Sequence, residues 1–130
     1  MLHHAREEMS TDLLTVEADL PLAEVAGRMV EREVGAVLVL DGERLAGILT
    51  ERDVLRAVAR GIGAGDTASD HMTTSPETIG PDETTEHAAT LMMHGGFRHL
   101  PVVDGGELVG MLSIRDLMRI ALSDSAPRGV

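Results

Sequence analysis

The chain matches itself when it is slid by 63 positions. "GILTERD" at Gly47 to Asp53 returns as "GMLSIRD" at Gly110 to Asp116, and the match extends both ways without a gap. Met9 falls on Met72, Thr15 on Thr78, Asp19 on Asp82 and Met29 on Met92. Further along, Val39 meets Val102, Asp41-Gly42 meets Asp104-Gly105, and Arg52-Asp53 meets Arg115-Asp116. A fixed period is the signature of a duplicated structural unit. Whatever one copy folds into, the other must fold into as well. The expected division is a first copy at 8–61, a linker at 62–70, a second copy at 71–123 and a disordered tail at 124–130. "RGIGAGDTASD" supplies the linker's small and flexible residues.

Each copy carries the same sequence of local signals. A short extended piece comes first, "LLTVEAD" or "PETIGPD". A helix follows, from about Leu22 to Glu33 and from about Thr85 to His94. Pro21 suits an opening helical turn, and Val25, Met29 and Val30 share one face by helical spacing. "HGG" at His94 to Gly96 stops the second of these helices. Two apolar runs then flank Asp41-Gly42, or Asp104-Gly105-Gly106, which is a hairpin signal. "ERDVLRAVAR" and "IRDLMRIAL" close the copies as amphipathic helices. The expected order is strand, helix, strand, strand, helix, twice. Such a unit covers only part of its own apolar surface, so two copies are expected to share a core.

Composition narrows the function. At 130 residues the chain is one domain's worth, with 43% hydrophobic residues but a single Phe and no Trp or Tyr, so its core must be aliphatic. A net charge of -11 opposes nucleic-acid binding, which depends on Lys and Arg displacing counterions. No apolar run reaches the length of a membrane span, and "MLHHAREEM" lacks the basic start and apolar stretch of a signal peptide. With no cysteine there are no disulfides or thiolate metal sites, which fits the cytoplasm. His87 and His94 share a helix face, but no third ligand completes a metal set. No nucleophile–base order, phosphate-binding loop or metal set points to catalysis, so the chain is not expected to be an enzyme. The methionines at Met92, Met93, Met111 and Met118 read as core filling.

Two readings compete for Thr50-x-x-Asp53 and Ser113-x-x-Asp116. A hydroxyl at the N-cap with an acid in the first turn is an ordinary helix start. Yet each hydroxyl also lies at the carboxyl end of a strand, where ligands bind in α/β layers. A glycine three residues earlier permits close backbone approach. A carboxylate that accepts from two neighbouring hydroxyls, beside a Thr or Ser, fits a vicinal diol.

These residues resemble a tandem pair of cystathionine-β-synthase (CBS) domains, a Bateman module. The resemblance rests on "GILTERD" and "GMLSIRD", on "VGAVLVLDG" and "FRHLPVVDG", and on "MSTDLLTVEAD" and "MTTSPETIGPD", and it covers about residues 8–122. It implies an α+β (α/β) fold of two tandem repeats, related by a pseudo-two-fold axis and packed sheet to sheet. It also implies a cleft between the copies with two sites for an adenine nucleoside or nucleotide: AMP, ADP, ATP or S-adenosylmethionine. Carried over by position, Thr50 and Asp53 would hold the ribose in one site, and Ser113 and Asp116 in the other. Thr15 and Val16, or Thr78 and Ile79, would cradle the adenine. Gly35 and Ala36 in the first copy offer backbone only. Arg98 and His99 in the second can reach phosphate, as can Arg52 and Arg115. The Ser113/Asp116 site is therefore expected to prefer a phosphorylated ligand and to bind more tightly.

The resemblance further implies a regulatory module with no cofactor, whose output passes to an unknown effector protein or through a homodimer. Val54, Leu55, Val58, Leu117, Met118 and Ala121 are candidates for the dimer face. The chain is expected to stand alone, without an attached enzyme, transporter or nucleic-acid-binding segment. The alternative is a structural or dimerising pair without a small-molecule ligand.

Overall fold

The computed structural model describes residues 2–125. In chain order its elements are α1 (Ala5–Glu8), β1 (Thr15–Glu17), α2 (Leu22–Arg32), β2 (Ala36–Asp41), β3 (Arg44–Thr50) and α3 (Glu51–Arg60). They continue with α4 (Ala68–His71), β4 (Thr73–Thr74), α5 (Thr85–Gly95), β5 (His99–Asp104), β6 (Glu107–Ser113) and α6 (Ile114–Ser125). The chain forms two compact units. One is Asp12–Pro76; the other joins the residues up to Thr11 with those from Glu77 onward.

In the Asp12–Pro76 unit the sheet order is β1-β2-β3-β4. β1 runs parallel to β2, β2 pairs antiparallel with β3, and β3 with β4. The apolar face of α2 explains its docking: Leu22, Val25 and Met29 are buried with Val16, Val37, Val39, Leu49, Ala57 and Ala68. α2 ends where Glu33 adopts a left-handed conformation at φ 55°. The hairpin turns as expected, with Gly42 at φ 64° between Asp41 and Arg44.

The other unit repeats this plan position by position. Ala5, Ile79, Ala88, Met92, Leu100, Val102 and Leu112 form its core. Each stands 63 positions from a core residue of the first: Ala68, Val16, Val25, Met29, Val37, Val39 and Leu49. Here β5 and β6 are the full strands. The outer strands shrink to single bridges, Ile79 parallel to Val102 and Ser10 antiparallel to Met111. The strand expected in "PETIGPD" is therefore one bridge only, because Pro76 and Pro81 bracket it and supply no amide donors.

Two features were absent from the sequence reading. The segment expected to be a loose linker at 62–70 already contains the start of α4, where Asp70 Oδ2 accepts from the Thr67 amide at 2.8 Å and its hydroxyl at 3.1 Å. Moreover, the lead-in of each copy completes the unit formed by the body of the other. Ala68 and β4 belong with the first copy's body, and Ala5, Met9 and Ser10 with the second's. Asp124 and Ser125, expected in the tail, belong to α6, and 126–130 lie outside the described residues.

Candidate ligand site at the two helix entrances

β3 delivers Thr50 to the first turn of α3, and β6 delivers Ser113 to the first turn of α6. At both places the short side chains fold onto the backbone. Asp53 Oδ2 accepts from the Thr50 amide at 2.8 Å and from its hydroxyl at 3.1 Å; the Asp53 amide donates back to Thr50 Oγ1 at 3.4 Å. Asp116 Oδ2 accepts from the Ser113 amide at 2.8 Å and its hydroxyl at 3.0 Å, and its own amide donates to Ser113 Oγ at 3.2 Å. These are reciprocal caps. Thr67 and Asp70 repeat the two bonds to the carboxylate at α4, although there the Asp70 amide donates to the Thr67 carbonyl at 3.1 Å. The cap alone is therefore no mark of a ligand site.

What remains after capping distinguishes the entrances. Asp53 Oδ1 meets no hydrogen-bond donor among the described residues, and Asp53 is half-buried. Asp116 Oδ1 instead accepts from Arg119 Nη2 at 2.9 Å. Arg56, the matching residue of the first copy, makes no such pair among the described residues.

The strand register gathers the expected neighbours. Ala36 pairs across from Thr50, and the Glu51 amide donates to the Gly35 carbonyl at 2.9 Å. His99 pairs across from Ser113, and the Ile114 amide donates to the Arg98 carbonyl at 2.8 Å. Gly35 and Ala36 thus adjoin one hydroxyl, Arg98 and His99 the other. Arg98, Arg52 and Arg115 are exposed and form no ion pair among the described residues. Val16 and Ile79 are only 4% and 2% exposed, so their side chains serve the cores, and the Ile79 backbone is spent on β5: its amide donates to the Pro101 carbonyl at 3.0 Å and its carbonyl accepts from the Val103 amide at 2.9 Å. Thr15 and Thr78 stay exposed.

The two motif glycines have a role other than the ligand approach expected for them. A Cβ on Gly47 would stand 2.6 Å from Met72 Sδ and 2.7 Å from the Thr73 carbonyl oxygen. One on Gly110 would meet the Met9 side chain and stand 3.0 Å from the Ser10 carbonyl oxygen. Glycine is required because a lead-in methionine and its following backbone lie against the strand.

Sequence reading also missed Glu51. A Cβ on Gly35 would stand 3.1 Å from Glu51 Oε1, so this carboxylate covers the glycine. Comparison of the copies exposes it, because Ile114 stands at the equivalent position.

Elsewhere, His71 Nε2 lies 2.8 Å from Asp66 Oδ2, and this hydrogen bond holds the Asp66 carboxyl below its usual range. No group of three or more His, Cys, Asp or Glu suited to a metal is found among the described residues. No helix among them is long and apolar enough to cross a membrane. Of the residues considered for a dimer face, Val54 and Leu117 pack on the cores, while Leu55, Val58 and Met118 are more than half exposed.

Comparison with known proteins agrees with this duplication. The CBS domain model matches residues 5–60 and again 68–123. The CBS domain-containing protein YhcV of Bacillus subtilis is 34% identical over 113 residues, spanning 86% of this chain and 81% of that protein. A putative signal-transduction protein with CBS domains from Burkholderia ambifaria superposes with a TM-score of 0.87 at 29% identity, covering 100% of both chains. CBSX2, solved in complex with AMP, gives a TM-score of 0.81 at 27% identity, covering 94% of this chain and 98% of its own.

Proposed function

We propose, from the premise that this chain belongs to the CBS domain family and carries the domain twice, that it is a regulatory module binding an adenine nucleoside or nucleotide at its two helix entrances. The observation that carries this reading is the half-spent carboxylate of Asp53, half-buried at the carboxyl end of β3; Asp70, capped in the same way, is exposed and follows no strand. One oxygen closes the cap, and the other is left open beside the end of β3. An open carboxylate oxygen next to a fixed hydroxyl accepts the two donors of a ribose diol. The AMP complex of CBSX2 supports an adenosyl ligand.

Ribose falls to Thr50 and Asp53 in one site, and to Ser113 and Asp116 in the other. In the second, the diol must share Asp116 with Arg119 or displace it. Arg98 and His99 favour phosphate there, and Arg52 and Arg115 flank the two entrances. Adenine packs against Thr15 and Val16 in one site and Thr78 and Ile79 in the other, and Gly35 and Ala36 adjoin the 5′ end of the ligand in the first. The chain's charge of -11 favours AMP or ADP over ATP. The module performs no chemistry; ligand binding shifts its conformational population, and an effector protein reads the shift.

A homodimer is a second element of the proposal. Leu55 and Val58 lie 69% and 57% exposed on α3, and Met118 lies 57% exposed on α6. If these faces act without a ligand, the chain is a dimerisation module alone. A thermal-shift series with AMP, ADP, ATP and S-adenosylmethionine separates the two. A ligand at 100 times its Kd adds about 2.7 kcal/mol. A shift lost in Asp53→Ala or Asp116→Ala supports binding, and no shift with any of the four supports dimerisation only.

A further inference from the structure

The two entrances differ by two unit charges at two positions that neighbour the hydroxyls, one next in the chain and one on the facing strand. In the first copy the residue after the hydroxyl is Glu51, and its carboxylate lies over Gly35. In the second copy the same two positions hold Ile114 and Arg98. Ile114 is half-buried and packs on the core, so it brings no charge to the entrance. The charged residues of the two entrance helices otherwise match in their first two turns: Arg52, Asp53 and Arg56 against Arg115, Asp116 and Arg119.

Resting on the ribose reading above, we infer that the two sites take different classes of adenosyl ligand. The Thr50–Asp53 entrance selects a 5′ substituent that is cationic, such as a sulfonium, and Glu51 makes the selection. The Ser113–Asp116 entrance selects a phosphate. The register supports the assignment. Gly35 precedes the ladder partner of Thr50, and its carbonyl accepts from the Glu51 amide at 2.9 Å. A substituent on a ribose anchored at Thr50 therefore lies beside the Glu51 carboxylate. A phosphate at that place meets like charge with no arginine on the facing strand, whereas Arg98 stands on the facing strand of the second site. Glycine at position 35 is what lets the carboxylate lie there, because a side chain would crowd Glu51 Oε1.

Calorimetry on the full chain tests the inference with S-adenosylmethionine, 5′-methylthioadenosine and AMP as probes. Asp116→Asn, which keeps an oxygen for the cap, weakens the second site so that the first is read alone. In that background S-adenosylmethionine binds more tightly than the uncharged methylthioadenosine, and AMP binds weakest. Adding Glu51→Gln removes the preference: S-adenosylmethionine weakens and AMP tightens, each by about tenfold, as expected for one charge interaction at partial solvent exposure. Arg98→Gln in the otherwise unchanged chain weakens AMP without affecting S-adenosylmethionine. If Glu51→Gln moves neither ligand while Asp53→Ala still removes an adenosyl site, the selection by Glu51 is wrong and the ribose reading stands. If no adenosyl probe binds the unchanged chain, both fall together.

Discussion

Replacing Gly47 by alanine tests why the motif begins with glycine. The added Cβ would stand 2.6 Å from Met72 Sδ, 2.9 Å from Met72 Cγ and 2.7 Å from the Thr73 carbonyl oxygen. The methionine side chain can swing away. The carbonyl belongs to β4, which is held against Gly47 and Ile48 by the sheet ladder, and it cannot leave without breaking that pairing. Overpacking of this kind costs about 1–3 kcal/mol. The upper part of that range is expected here, because the obstacle is backbone. Urea unfolding should show a lower midpoint with little change in slope. Amide exchange should quicken at Thr73 and Ile48. Met72→Ala added to Gly47→Ala should recover only part of the loss, because the Thr73 carbonyl remains. Gly27, inside α2 with open space around its Cα, is the control; Gly27→Ala should stabilise by about 0.5–1 kcal/mol. A Gly47→Ala protein as stable as the parent, but with weakened ligand binding, would refute the packing argument and return the glycine to the ligand.

Three further outcomes follow from the same geometry. Thr50→Ala and Ser113→Ala each remove the acceptor for an N3 amide and should cost about 1 kcal/mol, measured by denaturant unfolding without ligand. Glu33→Gly relieves a left-handed residue at φ 55°, at the position where the second copy has Gly96 at φ 70°, and should raise stability by up to about 1 kcal/mol in the same assay. The Asp66 carboxyl, held low by His71, contributes stability that is complete above the ordinary carboxylate range and is lost as pH falls through its depressed value. Asp66→Asn should therefore flatten the acid limb of a stability–pH profile and leave its neutral region less stable.

Much of this architecture was legible because the two copies report on each other. The apolar spacing of Val25 and Met29, the Asp-Gly turns and the helix starts are local signals, and local physics decided them. The exchange of lead-in segments was not legible. Nothing in "MSTD" or "HMTT" says which copy's strand it will pair with; that depends on tertiary placement of residues far apart in sequence. The glycines announce a close approach, expected from a ligand, but the approaching group is a methionine and its neighbouring backbone. At the site, the spacing of Thr50 and Asp53 by itself announces a cap, and the diol grip enters only through the strand end, the preceding glycine and the fit of a carboxylate to a diol. That Asp53 keeps one oxygen open while Asp116 lends its own to Arg119 depends on side-chain placement that spacing does not encode. Glu51 was passed over because a single acid at a helix start is unremarkable until its mate, Ile114, is set beside it.

The central claim is that a carboxylate at each helix entrance grips a ribose diol, and calorimetry with adenosine against 2′,3′-dideoxyadenosine tests it most directly. Both probes carry the same base and no phosphate, so only the diol differs. The account predicts that adenosine binds at least about tenfold more tightly, and that Asp53→Ala together with Asp116→Ala abolishes the difference. Equal affinity of the two probes for the unchanged chain would contradict it.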